Sequence, residues 1–480
     1  MLRPGVPGSL VGGPVVDQEE GPVQRRRRLS GHAILFIAFA FTVMADPVSS
    51  IAYAIESALR HLDGDLGDLF LTMGLVIATI AVIAATYHQL IRRFPEGGGG
   101  ARSVGRAYGE GWSFIPLGAL LLDFVITVAI SCAAGASAII AYLPGLEPER
   151  VLLGLALTAV VAAGISFGHH GRVAFAGATL LFIALAATVI VAGAFGPAQP
   201  PINDRPDAPL AGDASLIPAL LAMPVAMALA TGIEAPSDAI AQLRGLRRTE
   251  HRRFGQWTIW LTVGIVGALT VGISGLAVTR GVGLPPSDST LLAEVARTSV
   301  GDGAVFAAFQ AVSALLLLAA AASSYLAASG LLKALAEVGA NPHEGGLVPA
   351  RFAALNRFHV PPWGILAVLI ASAAIIGVAG GRDQEIVRYY AVSVFAGFLG
   401  ATLGCARLSY RDGNRGELAV NMAGVVVVAF VLALNAVRPA GVIVLGSACL
   451  LAGYLYAVWV RRGRPAGVPE AELKAESEIS

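Results

Sequence analysis

Twelve apolar runs, each at least about 17 residues long and so able to cross a bilayer as a helix, divide the 480-residue chain. They lie at roughly 32–60, 66–91, 112–141, 151–168, 172–195, 215–243, 257–279, 302–330, 362–379, 384–406, 417–437 and 440–460. Lipid offers no partner for a bare backbone N–H or C=O, so such runs must be helices, and the fold class that follows is an all-α polytopic membrane protein with 12 transmembrane helices. Composition agrees, since 56% of the residues are hydrophobic and 14% are charged, against about 25% charged in a soluble domain. A soluble enzyme is excluded, and no motif asks for a cofactor. The net charge of +1 gives no reason to expect nucleic acid as a partner. Cys132, Cys405 and Cys449 sit singly in apolar runs, without the spacing of a zinc site or a disulfide framework.

Orientation follows from the basic residues, which collect in cytoplasmic loops. With the N-terminus inside, 25 of the 33 Lys and Arg residues fall in inside segments and 8 in outside segments. The reading is a multi-pass protein of the plasma (inner) membrane with both termini cytoplasmic. Residues 1–30, rich in Gly, Pro and Arg, read as a disordered cytoplasmic tail; 31–407 as a core of ten spans; 408–461 as spans eleven and twelve; and 462–480 as a second cytoplasmic tail. Phe94-Pro95-Glu96-Gly97-Gly98-Gly99-Gly100 follows a membrane helix and lacks the Gly-Lys-Ser/Thr ending of a phosphate cradle, so no nucleotide site is expected. His169-His170 read as a solvated loop.

Spans one and six each carry a helix-breaking polar cluster near the middle: Asp46-Pro47-Val48-Ser49-Ser50 in one, and Thr231-Gly232-Ile233-Glu234-Ala235-Pro236-Ser237-Asp238 in the other. A proline removes a backbone donor and crowds the preceding turn, so each helix is expected to open there. Paired interruptions five spans apart point to the substrate site of a transporter made of two inverted repeats, here spans 1–5 and 6–10.

Asp46, Asp123 and Glu234 lie deep in apolar runs, where each costs at least about 2.5 kcal/mol at the bilayer centre. No Lys or Arg lies deep in any span to pair with them. Three carboxylates in one cavity cannot all ionise without compensation, and a bound cation together with a proton supplies it. Asp123, Thr127 and Ser131 step by four residues down one helix face. Tyr53 returns to the face of Asp46 two turns on, and Tyr390 and Ser393 mark the start of span ten.

At these positions the chain resembles the amino acid, polyamine and organocation (APC) superfamily, and within it the potassium-uptake permeases of the KUP type and their KimA-like branch. The similarity rests on Pro95-Glu96-Gly97-Gly98-Gly99 after span two, on Asp46-Pro47-Val48-Ser49-Ser50-Ile51-Ala52-Tyr53, on Asp123 with Thr127, on Thr231-Gly232-Ile233-Glu234-Ala235 and on Tyr390-Ala391-Val392. Phe124 stands where that branch tends to have a tyrosine. The resemblance implies a LeuT-like 5+5 inverted repeat and potassium import by proton symport. It also implies that Asp46, Tyr53, Asp123, Thr127, Thr231, Glu234 and Tyr390 bind the ion, with Asp46, Asp123 and Glu234 as its carboxylate ligands. The partners expected are the small ion, the lipid bilayer and, as an open question, a second copy in a homodimer. The rival is a proton-coupled amino acid or polyamine permease of the same superfamily. An acidic residue at the first break repels a substrate carboxylate and suits a cation, which ranks the ion first. A divalent-metal transporter is disfavoured because Gly and Asn do not follow Asp46-Pro47.

Overall fold

The computed structural model describes residues 34–168, 171–197, 214–243, 247–339 and 346–478. The expected tail at 1–30 and the His169-His170 pair lie outside them. Every long element is a helix, and ten helical segments among the described residues are long and apolar enough to cross a membrane. The expected first span is divided into α1 (Ile34–Val43), α2 (Ala45–Ser49) and α3 (Ile51–His61), and the ninth is a shorter apolar helix of 17 residues. The chain continues as α4 (Leu66–Arg93), α5 (Gly99–Tyr108), α6 (Phe114–Tyr142), α7 (Arg150–Ser166) and α8 (Arg172–Phe195). The divided sixth span follows as α9 (Leu216–Ala226), a 3-10 turn at Met227–Ala230 and α10 (Ala235–Asp238). Then come α11 (Arg248–Arg280), α12 (Leu291–Val300), α13 (Ala304–Glu337), α14 (Pro362–Val378), α15 (Asp383–Arg411), α16 (Arg415–Ala436), α17 (Pro439–Arg461) and α18 (Ala471–Glu478).

Burial separates the roles of these helices. The apolar stretch that includes α6 is 83% buried and packs chiefly on α13 and α15, whereas that of α16 is 22% buried and turns most of its surface outward. A helix apolar all round and buried is central, while one apolar all round and exposed faces lipid. The last two spans nevertheless buttress the core. Gly118 of α6 has no room for a methyl group, which would lie 3.0 Å from the Ala448 carbonyl oxygen of α17. Asn421 of α16 donates to Gln89 Oε1 (2.8 Å) and Ser409 Oγ (3.1 Å) and accepts from Thr86 Oγ1 (3.0 Å), pinning α16 to α4 and α15. In an apolar setting such a network is satisfied only in one register, which fixes the packing.

The two broken spans differ from expectation in an instructive way. In span six the opening lies at Thr231, which is extended (φ −63°, ψ 143°), and Gly232, at φ +77°. Pro236 does not break anything. It sits in the first turn of α10, where its missing N–H is no loss. Span one is bent more than opened, since Met44 and Ser50 keep helical angles and Val48, Ser50 and Ala54 retain their i to i−4 bonds. The carbonyl of Val43, four residues before Pro47, has no backbone N–H from the proline to accept.

The segment after residue 462, expected as a second cytoplasmic tail, packs against the helices. Val468, Ala471 and Ala475 join an apolar cluster with Phe114, Leu117, Leu331 and Trp459.

Candidate functional site

The site forms where the bend of span one meets the opening of span six. A methyl group on Gly232 would lie 2.5 Å from Pro47 Cδ and 3.0 Å from Asp46 Oδ2, so the two breaks touch through a residue that has to be glycine. Its left-handed φ carries the same demand. Ser50 Oγ donates to the carbonyl oxygens of Pro47 (2.7 Å) and, at 3.4 Å, Leu229, tying the two elements again.

Helices α6 and α15 close the other side. Thr127 Oγ1 donates to Tyr390 Oη at 2.8 Å, and Ser393 Oγ donates to Asp123 Oδ1 at 3.2 Å. The rings of Tyr53 and Tyr390 meet edge to face at 6.3 Å, and both side chains are wholly buried. Two carboxylate oxygens here are buried without a hydrogen-bond partner: Asp46 Oδ1 and Glu234 Oε2. Leaving a polar atom so costs about 1–3 kcal/mol each, more for a charge, so their gathering in one place marks a position for a bound group.

The structure therefore brings together the seven residues singled out from the sequence, with one correction. Asp46, Asp123 and Glu234 interact through space, but among the described residues no three His, Cys, Asp or Glu side chains stand close enough to hold a metal ion. Each acid comes from a different element: Asp46 from α2, Asp123 from α6 and Glu234 from the residue before α10. Asp46 lies against Gly232, Asp123 is held by Ser393, and Asp123 and Glu234 line a small cavity of about 30 Å³ that Asp46 does not reach. The hydroxyls of Thr127, Tyr390 and Ser393 accompany them. A large monovalent ion with few charges suits such mixed oxygens better than a compact divalent ion does.

Sequence reasoning left out several residues that the fold places here. Ser393, in sequence a mark of the start of span ten, turns to Asp123. Asp238 and Tyr87 line the same small cavity as Glu234. Asp238 follows Glu234 by one helical turn, a spacing visible in the sequence, whereas the long-range approach of Tyr87 carries no local signal.

On the opposite side of the tyrosine pair is a vestibule of about 870 Å³. Ser57 and Glu56, one turn beyond Tyr53, are in its wall, and Gln384 Nε2 reaches the Tyr53 carbonyl oxygen at 3.4 Å. Ser57 Oγ donates to Gln384 Oε1 (2.6 Å), and Ser137 Oγ, which accepts from Arg150 (2.8 Å), donates to Asp383 (2.7 Å). Five arginines (Arg60, Arg150, Arg382, Arg388 and Arg438) and three carboxylates (Glu56, Asp383 and Glu385) line the vestibule. Arg60 is paired with Glu56 and Arg388 with Glu385.

The chain is 27% identical over 442 residues, 88% of its length and 68% of the other's, to the protein named potassium transporter KimA of Bacillus subtilis (strain 168). Residues 34–459, which include both breaks, all the site residues and the vestibule, match the family described as amino acid permease. The chain thus belongs to the amino acid permease family.

Proposed function

We propose that this permease is a secondary transporter that imports a monovalent cation, potassium, in symport with protons by alternating access. On this reading it spans the membrane twelve times with both termini cytoplasmic, and spans 1–5 and 6–10 are inverted repeats meeting at the two breaks. The observation that carries the proposal is the charge of the site: three carboxylates, with unpartnered buried oxygens on Asp46 and Glu234 and no basic residue deep in any span. A neutral amino acid brings one positive and one negative group, and its carboxylate meets no cation in this cavity. A potassium ion brings only the positive charge the site lacks. The potassium transporter at 27% identity supports the same cargo.

Within the cavity, Asp123 is oriented by Ser393, and Thr127 and Tyr390 orient each other, so their oxygens are held in place before an ion arrives. Preorganised oxygens replace an ion's hydration shell without a further ordering cost. Asp46 and Asp123 are assigned to the ion and Glu234 to the proton. Glu234 takes that role because it caps α10 beside the Gly232 opening, the part of span six with the fewest helical bonds, and so moves with it.

The second reading, a proton-coupled amino acid permease, is favoured by the family itself and by the five vestibule arginines, which attract a carboxylate at the mouth. Uptake into liposomes under an imposed proton gradient, with potassium, sodium and a panel of amino acids compared, separates the two. Potassium uptake that the gradient accelerates supports the proposal. Amino acid uptake with no potassium uptake refutes it.

A further inference from the structure

The two ends of the site are unequal. One opens into the vestibule of about 870 Å³, and the other is the cavity of about 30 Å³ beyond Glu234 and Asp123. The small end is walled mostly by α4, α6 and α15, and the segment after the last span adds to that wall. Glu472, from the segment after the last span, lines the small cavity with Asp123, Glu234 and Asp238. A still smaller space, about 10 Å³, lies between Glu472, Ala475, Asp238, Phe124 and Leu331.

The chain is steered to this position. After α17 it reverses at Arg464 (φ +59°) and Gly467 (φ +103°), and Trp459 Nε1 holds the turn by donating to the Pro465 carbonyl oxygen at 2.9 Å. Gly105 leaves the space that Pro469 fills, since a methyl group there would lie 2.6 Å from the proline ring. A methyl on Gly99 would lie 2.8 Å from Glu472 Oε1 and closer still to Asp238 Oδ1, which gives the glycine run after α4 its purpose: it admits two carboxylates against the backbone. Glu472 Oε2 also accepts from the Ala101 N–H (3.3 Å) in the first turn of α5, where a negative charge is favoured by the helix dipole.

We propose that Val468–Glu478 is a removable plug on this end of the transport path, that Glu472 is the path residue it contributes, and that the plug must leave before cargo can pass. An eight-residue helix has too few internal bonds to persist alone in water, so α18 is formed by docking and is lost on release. Its seat is part small and part close-fitting: Ala475 lies against Gly330, and Pro469 and Leu473 pack against Gly105 and Gly97. The inference rests on the chain being a transporter but not on which cargo it carries.

A disulfide tests it. With Gly330→Cys and Ala475→Cys the two Cβ atoms fall 3.6 Å apart, inside the range of about 3.5–4.5 Å that a disulfide spans. Cys449→Ser removes the exposed native thiol. In liposomes, rubidium uptake by the oxidised double variant should fall about tenfold or more and return on reduction, while each single variant ignores the oxidant. A fully cross-linked protein that transports at the reduced rate overturns the proposal. A readout without cargo runs beside it. Gly397 lines the small cavity and has open space where a side chain would go, so Gly397→Cys reports access. Ala471→Arg, which cannot seat in the buried position of Ala471, should raise labelling of Gly397→Cys by a charged thiol reagent about fivefold or more. Unchanged labelling overturns the plug, and a lack of rubidium uptake by every form counts against the cargo and leaves the labelling result to decide.

Discussion

An acid at membrane depth is tolerated only with a partner, a proton or a bound cation, and Asp46 and Asp123 illustrate two degrees of provision. Asp123 has one protein donor, Ser393, and Asp46 Oδ1 has none. Their exchange for the amide preserves shape and removes charge. Asp46→Asn and Asp123→Asn should therefore each lower uptake below about a hundredth of wild type, since a charge paired with a desolvated ion is worth several kcal/mol, with unchanged yield and elution on size exclusion. Retained uptake in both variants would show that these acids serve packing alone. The sequence made these residues visible because a carboxylate amid leucines and valines needs a reason. Ser393 and Tyr87 were illegible as site residues, because hydroxyl groups in membrane helices more often bond their own backbone, and only the fold shows that Ser393 also turns toward Asp123.

At the scale of the element, the interruption of span six depends on Gly232 and not on Pro236. Gly232→Ala places a methyl group 2.5 Å from Pro47 at φ +77°, a strained geometry that costs about 1–3 kcal/mol. Pro236→Ala keeps a first-turn position that alanine fills equally well. Thermal unfolding of the detergent-solubilised protein should drop for Gly232→Ala and stay near wild type for Pro236→Ala; the opposite order would return the break to the proline. The positions of the helices were legible in the apolar runs, to within a few residues at most ends. The nature of the breaks was not, since proline and glycine signal interruption alike, and which one yields depends on the partner helix that packs against it. Helices α5, α12 and α18 carry no sequence signal of this kind, because helices of eight to ten residues have no apolar run long enough to stand out.

For the whole molecule, the account joins a wide vestibule on one side of the site to a sealed end on the other. Transport then requires the acids to change exposure together with the broken helices. If Glu234 carries the proton, Glu234→Gln should bind rubidium as wild type does and lose the acceleration of uptake by an inward proton gradient. Gradient-driven accumulation by that variant would shift the proton to another acid, with Asp46 the next candidate. The vestibule arginines set the opposing expectation, since five of them line the mouth and act over roughly a Debye length, about 8 Å at physiological salt. They would slow a cation's approach to the mouth.

The central claim, that the acids at the paired breaks hold a monovalent cation, is tested most directly by equilibrium binding of radioactive rubidium to the purified protein. Saturable binding that potassium displaces, that leucine and alanine leave untouched, and that Asp123→Asn abolishes is the predicted result. Saturable binding of an amino acid, with no rubidium bound at any concentration that spares the fold, would contradict it.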